Sequence, residues 1–571
     1  KNYITMKRIL MLMCAVAMAV VPASAQRLEI GRGERATTQT ARHSITGVAD
    51  PDATLTVNGK QFPVYPTGGW AAEVMLEEGK NSVSVVAVSK AGRVEKNFDI
   101  ELTKRPEKEP LTGIKLLECS TVPADIKAVT AGERIALRAV GTPGCKVSIV
   151  GGCKLTEVEA GVYQGLITAK KDCKVLAEPL QFKIEGKDGS ATLTMKEAIE
   201  VIDPNAPVML RTVGDLPYLN YGLGTDRLGG SKIGHITEGI LLEAVGKVGN
   251  QYKVRLSKNR TAYIPASCVE VQPAGTLPAQ SLVGSWSVRG GKEADVVRVS
   301  LTERLPFATF HQLDPARVVV DIFGAVANTS WLTQYPETKN AIKSVDYEQV
   351  EEDIFRVVIT LDHNAHWGHS VSYEGNSLII RVKAAPKASL RGLHVAIDAG
   401  HGGPYKGAVG VAGVEEKDVN LDLAHMLREA LEKRGAKVTM TRTEDVNVDM
   451  SDRVLMLRKA DPNMMISIHC NAGGSPLKPL GTSTYYRHPG FQPLSTAVLK
   501  RVLELDMNNF GNIGSFNFIL NSPYEYPNML LETLFISAPA EEARLVDPKF
   551  RRDLIDRVVK GMEDYLKEYA K

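Results

Sequence analysis

"VAIDAGHGG", residues 395–403, is an apolar run that ends in an aspartate, a histidine and three glycines. A buried strand that finishes by presenting His401 on so pliant a loop has two readings. The loop is a turn that happens to hold a histidine, or it carries the first ligand of a metal site. The residues that follow weigh on the choice.

From residue 393 onward strands alternate with helices. "HVAID" (394–398) is a strand. "EEKDVNLDLAHMLREALEKRG" (415–435) predicts a helix with Val419, Leu423, Leu427, Ala430 and Leu431 on one face and Gly435 just past its end. "KVTMTR" (437–442) is a strand, and "SDRVLMLRKA" (451–460) a short helix with Ser451 as its N-cap. "MMISIH" (464–469), "TSTYY" (482–486) and "NMLLET" (528–533) are further strands, and residues 547–569 close the chain as an amphipathic helix. Residues 393–571 are thus expected to form an α/β domain around a largely parallel sheet.

On that scheme His401 follows the first strand, Glu415 and Glu416 open the first helix, His469 ends one strand and Glu532 ends another. All fall along the carboxyl edge, where open α/β sheets bind ligands. Two imidazoles and one carboxylate are what a catalytic zinc needs, leaving a fourth tetrahedral position for water. Gly400, Gly402 and Gly403 permit close backbone approach and unusual φ angles. Spacing alone still leaves structural histidines as an alternative. The loop fits neither nucleotide-binding fingerprint, and neither H-E-x-x-H nor Gly-x-Ser-x-Gly occurs. Asp398 either holds a ligand imidazole in place or closes the strand-end turn. "HNAHWGH" (363–369) has metal-like spacing at His363, His366 and His369, but it lies between predicted strands without an acid–base partner and is read as a polar loop.

Upstream the chain is β-patterned throughout. Its 571 residues call for about three to five domains, and Pro- and charge-rich stretches at 103–113, 202–207, 271–281 and 383–392 punctuate them. Residues 26–105 and 110–205 are read as two β-sandwich (Ig-like) modules, 206–272 as an SH3-like module and 281–385 as one more β module. A net charge of +3 offers no electrostatic case for nucleic acid. Lys7 and Arg8, an apolar run and "PASAQ" make residues 1–25 a signal peptide in expectation, so an exported protein without a transmembrane anchor follows. Cys119, Cys145, Cys153 and Cys173 are read as disulfide-forming or as plain buried thiols.

"AIDAGHGG", "EEKDVNLDLA", "TRTEDVNVDMSDRV", "MMISIHCNA" and "PNMLLETLFIS", in that order, resemble the zinc-dependent N-acetylmuramoyl-L-alanine amidases of the Amidase_3 family. Residues 281–385 are similar to the AMIN module that precedes many of them. The resemblance implies Zn²⁺ held by His401, Glu416 and His469, with Glu532 as catalytic acid and base. It selects Glu416 over Glu415, since helix neighbours point about 100° apart. Glu415 then faces solvent. Cys470, one residue from a ligand on a strand, is expected in the core. Asn471 either orients substrate or holds a turn. Asn521 stands near the place of an arginine in many relatives and is carried as a substrate-binding candidate.

The activity implied is cleavage of the amide between N-acetylmuramic acid and L-alanine of peptidoglycan, in wall remodelling or daughter-cell separation. The expected location is the periplasm or the cell wall, with a cell-division or activator protein as a possible partner. Two rivals stay open: a wall-binding protein with an inactive amidase fold, and a zinc peptidase cutting within the stem peptide.

Overall fold

The computed structural model describes residues 26–571 apart from 35–36, 105–110, 225–227 and 336–338. The expected signal peptide and linker residues 105–110 lie outside the described residues. Among the described residues no helix is long and apolar enough to cross a membrane.

Alternating apolar residues give strands as far as residue 383. A three-stranded sheet (Leu28–Arg32, Arg42–Ala49, Gly69–Met75) faces a five-stranded one, and Ile45, Leu55, Trp70 and Val85 are enclosed between them. A seven-stranded sheet follows within residues 116–194. Cys119, Cys145, Cys153 and Cys173 lean on its core as free thiols. Two strands from the second expected module, Ile126–Thr130 and Glu200–Ile202, leave that sheet. Ile126–Thr130 pairs antiparallel with Leu241–Val248, so the segments 110–205 and 206–272 share one nine-stranded sheet.

Residues 286–383 build a five-stranded and a four-stranded sheet. Their apolar residues, among them Trp286, Val297, Phe355 and Ile380, form one cluster with Leu210, Leu219, Ile240 and Ile264. A core shared in this way resists relative motion of the two units.

The C-terminal unit has six strands: β1 (His394–Ala399), β2 (Lys437–Met440), β3 (Met464–Asn471), β4 (Thr482–Tyr485), β5 (Asn509–Ile513) and β6 (Asn528–Phe535). Their order is β2-β1-β3-β6-β4-β5. All neighbours are parallel except β6 and β4. The central strands are covered on both faces, which is why β3 is a near-continuous apolar run. Helix α1 (Glu416–Glu432) buries Val419, Leu423, Ala424, Leu427 and Leu431. Helices α2 (Met450–Ala460), α3 (Gln492–Val502), α4 (Pro539–Val546) and α5 (Pro548–Tyr569) complete the layers.

The HNAHWGH segment corrects its sequence reading. His366 and His369 are shut from solvent rather than displayed on a polar loop. His366 stacks on His311 at 3.9 Å between ring centroids, and His488 of the C-terminal unit stacks on Tyr524 at 3.6 Å in the same cluster. Apolar and aromatic neighbours from both sides pull these rings into the seam between the two units.

Candidate metal centre

Strand β1 delivers Asp398 and Ala399 to the carboxyl edge and releases the chain into the glycine loop. His401 there has φ 62°, a left-handed conformation rare for a residue with a side chain. What holds it is a brace of charged groups. Arg453 donates to the His401 carbonyl at 2.7 Å and to the Ala399 carbonyl at 2.8 Å. Arg442 holds the Ala399, Gly400 and Lys417 carbonyls at 2.8–2.9 Å. Asp445 accepts from the Gly403 N–H at 2.7 Å and from Lys417 Nζ at 2.6 Å. These ties fix a strained loop that its own glycines would leave loose.

His401, Glu416 and His469 converge. One potential ligand atom from each lies within 4.8 Å of the others. Glu416 Oε1 is 3.2 Å from His401 Nε2, 2.9 Å from His469 Nδ1 and 3.0 Å from the Cys470 N–H. Its Oε2 accepts from the Ala408 N–H at 2.8 Å. Burial works against the charge of Glu416, yet the bonds from both imidazoles hold its carboxyl well below the ordinary range. Burial likewise opposes a charge on His469, but the adjacent Glu416 outweighs it and raises the ring to about 9. Two glycines make room. A Cβ on Gly400 would stand 2.2 Å from His469 Cε1, and one on Gly407 would stand 2.4 Å from Glu416 Oε2.

This donor set fits a divalent transition metal. Two imidazoles and a carboxylate, crowded by glycines and tied to backbone N–H groups, match the His₂Glu composition of catalytic zinc sites. Glu532 stands beside them, since β3 and β6 run in parallel register with His469 opposite Glu532. The four side chains line one cavity of about 690 Å³, together with Asn471, Phe518 and Ile519.

Other expected residues land differently. Asp398 does not hold an imidazole. Its oxygens bond Arg453 Nη1 at 2.6 Å, Thr441 Oγ1 at 2.8 Å and Ser467 Oγ at 2.6 Å, because a fully buried carboxylate takes the strongest donors in reach. It therefore acts on the loop through Arg453. Asn521 is buried against Asn528 at 3.2 Å and is absent from the cavity lining, which Asn517 reaches instead. Asn471 lines the cavity and also accepts from the Ala472 N–H at 2.8 Å. Glu415 is not free in solvent but paired with Lys406 at 2.5 Å. Cys470 is buried beside Thr533 and Asn420.

The brace residues Arg442 and Arg453 had no role in the sequence reading. A signal existed for Arg453: it shares the buried face of α2 with Val454 and Leu457, where an arginine needs a buried partner.

Residues 395–564 match the N-acetylmuramoyl-L-alanine amidase family, and residues 286–382 match the AMIN domain. The germination-specific N-acetylmuramoyl-L-alanine amidase of Bacillus subtilis is 30% identical over 197 residues, which are 31% of this chain and 82% of that protein. The N-acetylmuramoyl-L-alanine amidase AmiC of Neisseria meningitidis is 29% identical over 218 residues, 30% of this chain and 52% of the relative. The chain spans about half the length of the AmiC relatives it matches. The solved catalytic domain of CwlV, an N-acetylmuramoyl-L-alanine amidase from Bacillus (Paenibacillus) polymyxa var. colistinus, is 30% identical with a TM-score of 0.29, covering 30% of this chain and 98% of that one. The C-terminal α/β unit that gathers His401, Glu416 and His469 at one sheet edge coincides with the stretch that matches the family, and together with the Bacillus subtilis relative this shows that the chain belongs to the N-acetylmuramoyl-L-alanine amidase family and carries an AMIN domain ahead of that unit.

Proposed function

We propose that the chain is a zinc-dependent peptidoglycan hydrolase that cuts the amide between N-acetylmuramic acid and L-alanine. The observation that carries this reading is the convergence of His401, Glu416 and His469 within 4.8 Å, with Glu532 beside them on the next strand. His401, Glu416 and His469 would hold the metal. When bound, zinc supplies a Lewis acid that polarises the amide carbonyl and acidifies the attacking water.

The chain's own residues do the rest. Glu532 accepts the proton of the attacking water on its carboxylate and returns it to the departing amine of L-alanine. Such proton transfer contributes about 10²–10⁴ in rate. Leu530 and Leu531 precede it on the largely apolar strand β6. Asn471 lies at the cavity wall to orient substrate. The braces from Arg442, Arg453 and Asp445 keep the glycine loop in its strained form, so His401 is in place before substrate arrives.

The AMIN domain and the AmiC likeness support a location in the periplasm or at the wall, after export directed by residues 1–25. There the enzyme would serve wall remodelling or daughter-cell separation, with the upstream β units engaging the wall or an activator protein. Mass analysis of purified peptidoglycan, digested with and without a chelator, tests the reading. Amidase action exposes the L-alanine amino group and leaves the lactyl carboxylate on muramic acid, and the chelator abolishes both. Cleavage between stem-peptide residues would instead establish a peptidase.

A further inference from the structure

The cavity at the metal centre is not built by the C-terminal unit alone. Tyr218, Leu228 and Lys232, from a hairpin nearly two hundred residues upstream, line it together with His401, Glu416, His469 and Glu532. The hairpin pairs Tyr218–Asn220 with Lys232–His235 and is pinned to the C-terminal unit by side chains that donate to its carbonyls. Asn517 Nδ2 donates to the Gly230 carbonyl at 2.9 Å and the Leu228 carbonyl at 3.2 Å. The Arg487 guanidinium donates to the Lys232 carbonyl. The wall is thus held through its backbone carbonyls, and the Lys232 side chain takes no part in that pinning.

That side chain is a half-buried cation in an unusual setting. Its Nζ sits 4.9 Å from the ring centroid of Tyr218, and no carboxylate among the described residues pairs with it. Burial and then the nearby Arg487 both work against its charge. Arg487 is itself mostly buried and likewise lacks a carboxylate partner among the described residues. Two neighbouring cations, partly stripped of water and unmatched by an acid among the described residues, form a locus of positive potential at the rim of a substrate cavity. A negatively charged ligand group would complement them.

We propose that Lys232, seated on Tyr218 and supported by Arg487, is a specificity-determining residue that binds a carboxylate of the stem peptide close to the scissile amide. The proposal rests on the amidase reading for its substrate. The hairpin then couples the upstream β unit directly to turnover, because the catalytic cavity lacks one wall without it.

The test uses the full chain, zinc-loaded, with two small ligands. N-acetylmuramoyl-L-alanyl-D-glutamate and N-acetylmuramoyl-L-alanyl-D-isoglutamine differ only in a carboxylate against a carboxamide. Binding is measured by calorimetry in a Glu532→Gln background, so that the bond stays intact. The acid should bind roughly 10- to 100-fold more tightly than the amide, the span expected for one charge-assisted contact. Adding Lys232→Gln should erase the gap, Lys232→Arg should keep most of it, and Lys232→Glu should reverse it. An acid–amide gap that is missing, or that survives Lys232→Gln and Lys232→Glu, overturns the proposal. Turnover by the unsubstituted chain is scored separately. A gap that follows Lys232 without any cut at the muramoyl–alanine bond keeps this subsite and defeats the amidase reading. Equal cleavage of both ligands with no gap does the opposite.

Discussion

Arg453 Nη1 lies 2.6 Å from Asp398 Oδ1, and neither side chain reaches solvent. The same guanidinium holds the carbonyl of His401 through its other nitrogen, so one buried ion pair sets the pose of a proposed metal ligand. Removing the arginine strands a buried carboxylate, which costs about 3–5 kcal/mol in stability. Arg453→Leu should therefore lower the urea midpoint clearly. Where the fold survives, zinc affinity should fall by roughly 10- to 100-fold, the usual effect of losing a partner that orients a ligand.

Gly400 makes a sharper test of the site's packing. A methyl group there would intrude to 2.2 Å from the His469 ring, which has little room to yield beside Glu416 and the Cys470 backbone. Gly400→Ala should leave the far-UV circular dichroism near that of the unsubstituted chain while zinc content drops well below equimolar. Full zinc occupancy in this variant would show that His469 can leave its pose and still serve the metal.

Glu532→Gln separates binding from turnover. The amide keeps the shape of the carboxylate but cannot carry the proton, so kcat should fall by about 10²–10⁴. Zinc stoichiometry by atomic absorption should stay unchanged, because the proposed ligands are His401, Glu416 and His469. Retained activity would remove Glu532 from the mechanism.

The histidine cluster at the seam predicts a pH dependence of stability. Burial, with Arg487 nearby, depresses His488 to about 3, and burial lowers His366 to about 4. His311 and His369 are pushed well down by burial and by the neighbouring histidines. In the unfolded chain each ring titrates near ~6.5. Below that value the unfolded state binds more protons than the folded one, so stability is full above it and is lost as pH falls toward the folded values. The thermal midpoint should decline between pH 7.5 and 5.5, because the four depressed rings outnumber His469, whose raised value works in the opposite direction. A midpoint that stays flat or rises on acidification would contradict the buried neutral cluster.

How much of this was legible in the chain follows from the range of the interactions. The strand at His394–Ala399 and the helix at Glu416–Glu432 were readable because their periods are local and their faces apolar. The zinc candidates were readable as types at strand ends, and the choice of Glu416 over Glu415 came from family resemblance. Strand Asn509–Ile513 escaped because "NFGNI" has a glycine and two asparagines where β patterning expects branched residues. Helix Gln492–Val502 escaped because Pro493, Ser495 and Thr496 break the apolar rhythm that Leu494, Val498 and Val502 complete only once packed. Helix Met450–Ala460 has its N-cap at Asp449 and not at the expected Ser451, an end difference of about two residues. Asn521, the histidine seam and the Lys232 wall were beyond local reading. Each depends on which surface another segment presents, and no short pattern encodes that.

His401, Glu416 and His469 are proposed to grip a single divalent ion beside Glu532. X-ray absorption at the zinc edge of the purified, metal-loaded full chain measures this most directly. One zinc per chain is expected, with two imidazole nitrogens and one carboxylate among its ligands, the imidazole signature collapsing in a His401→Ala, His469→Ala double variant. Absence of bound zinc, or a spectrum dominated by sulfur and unchanged in that variant, would contradict it.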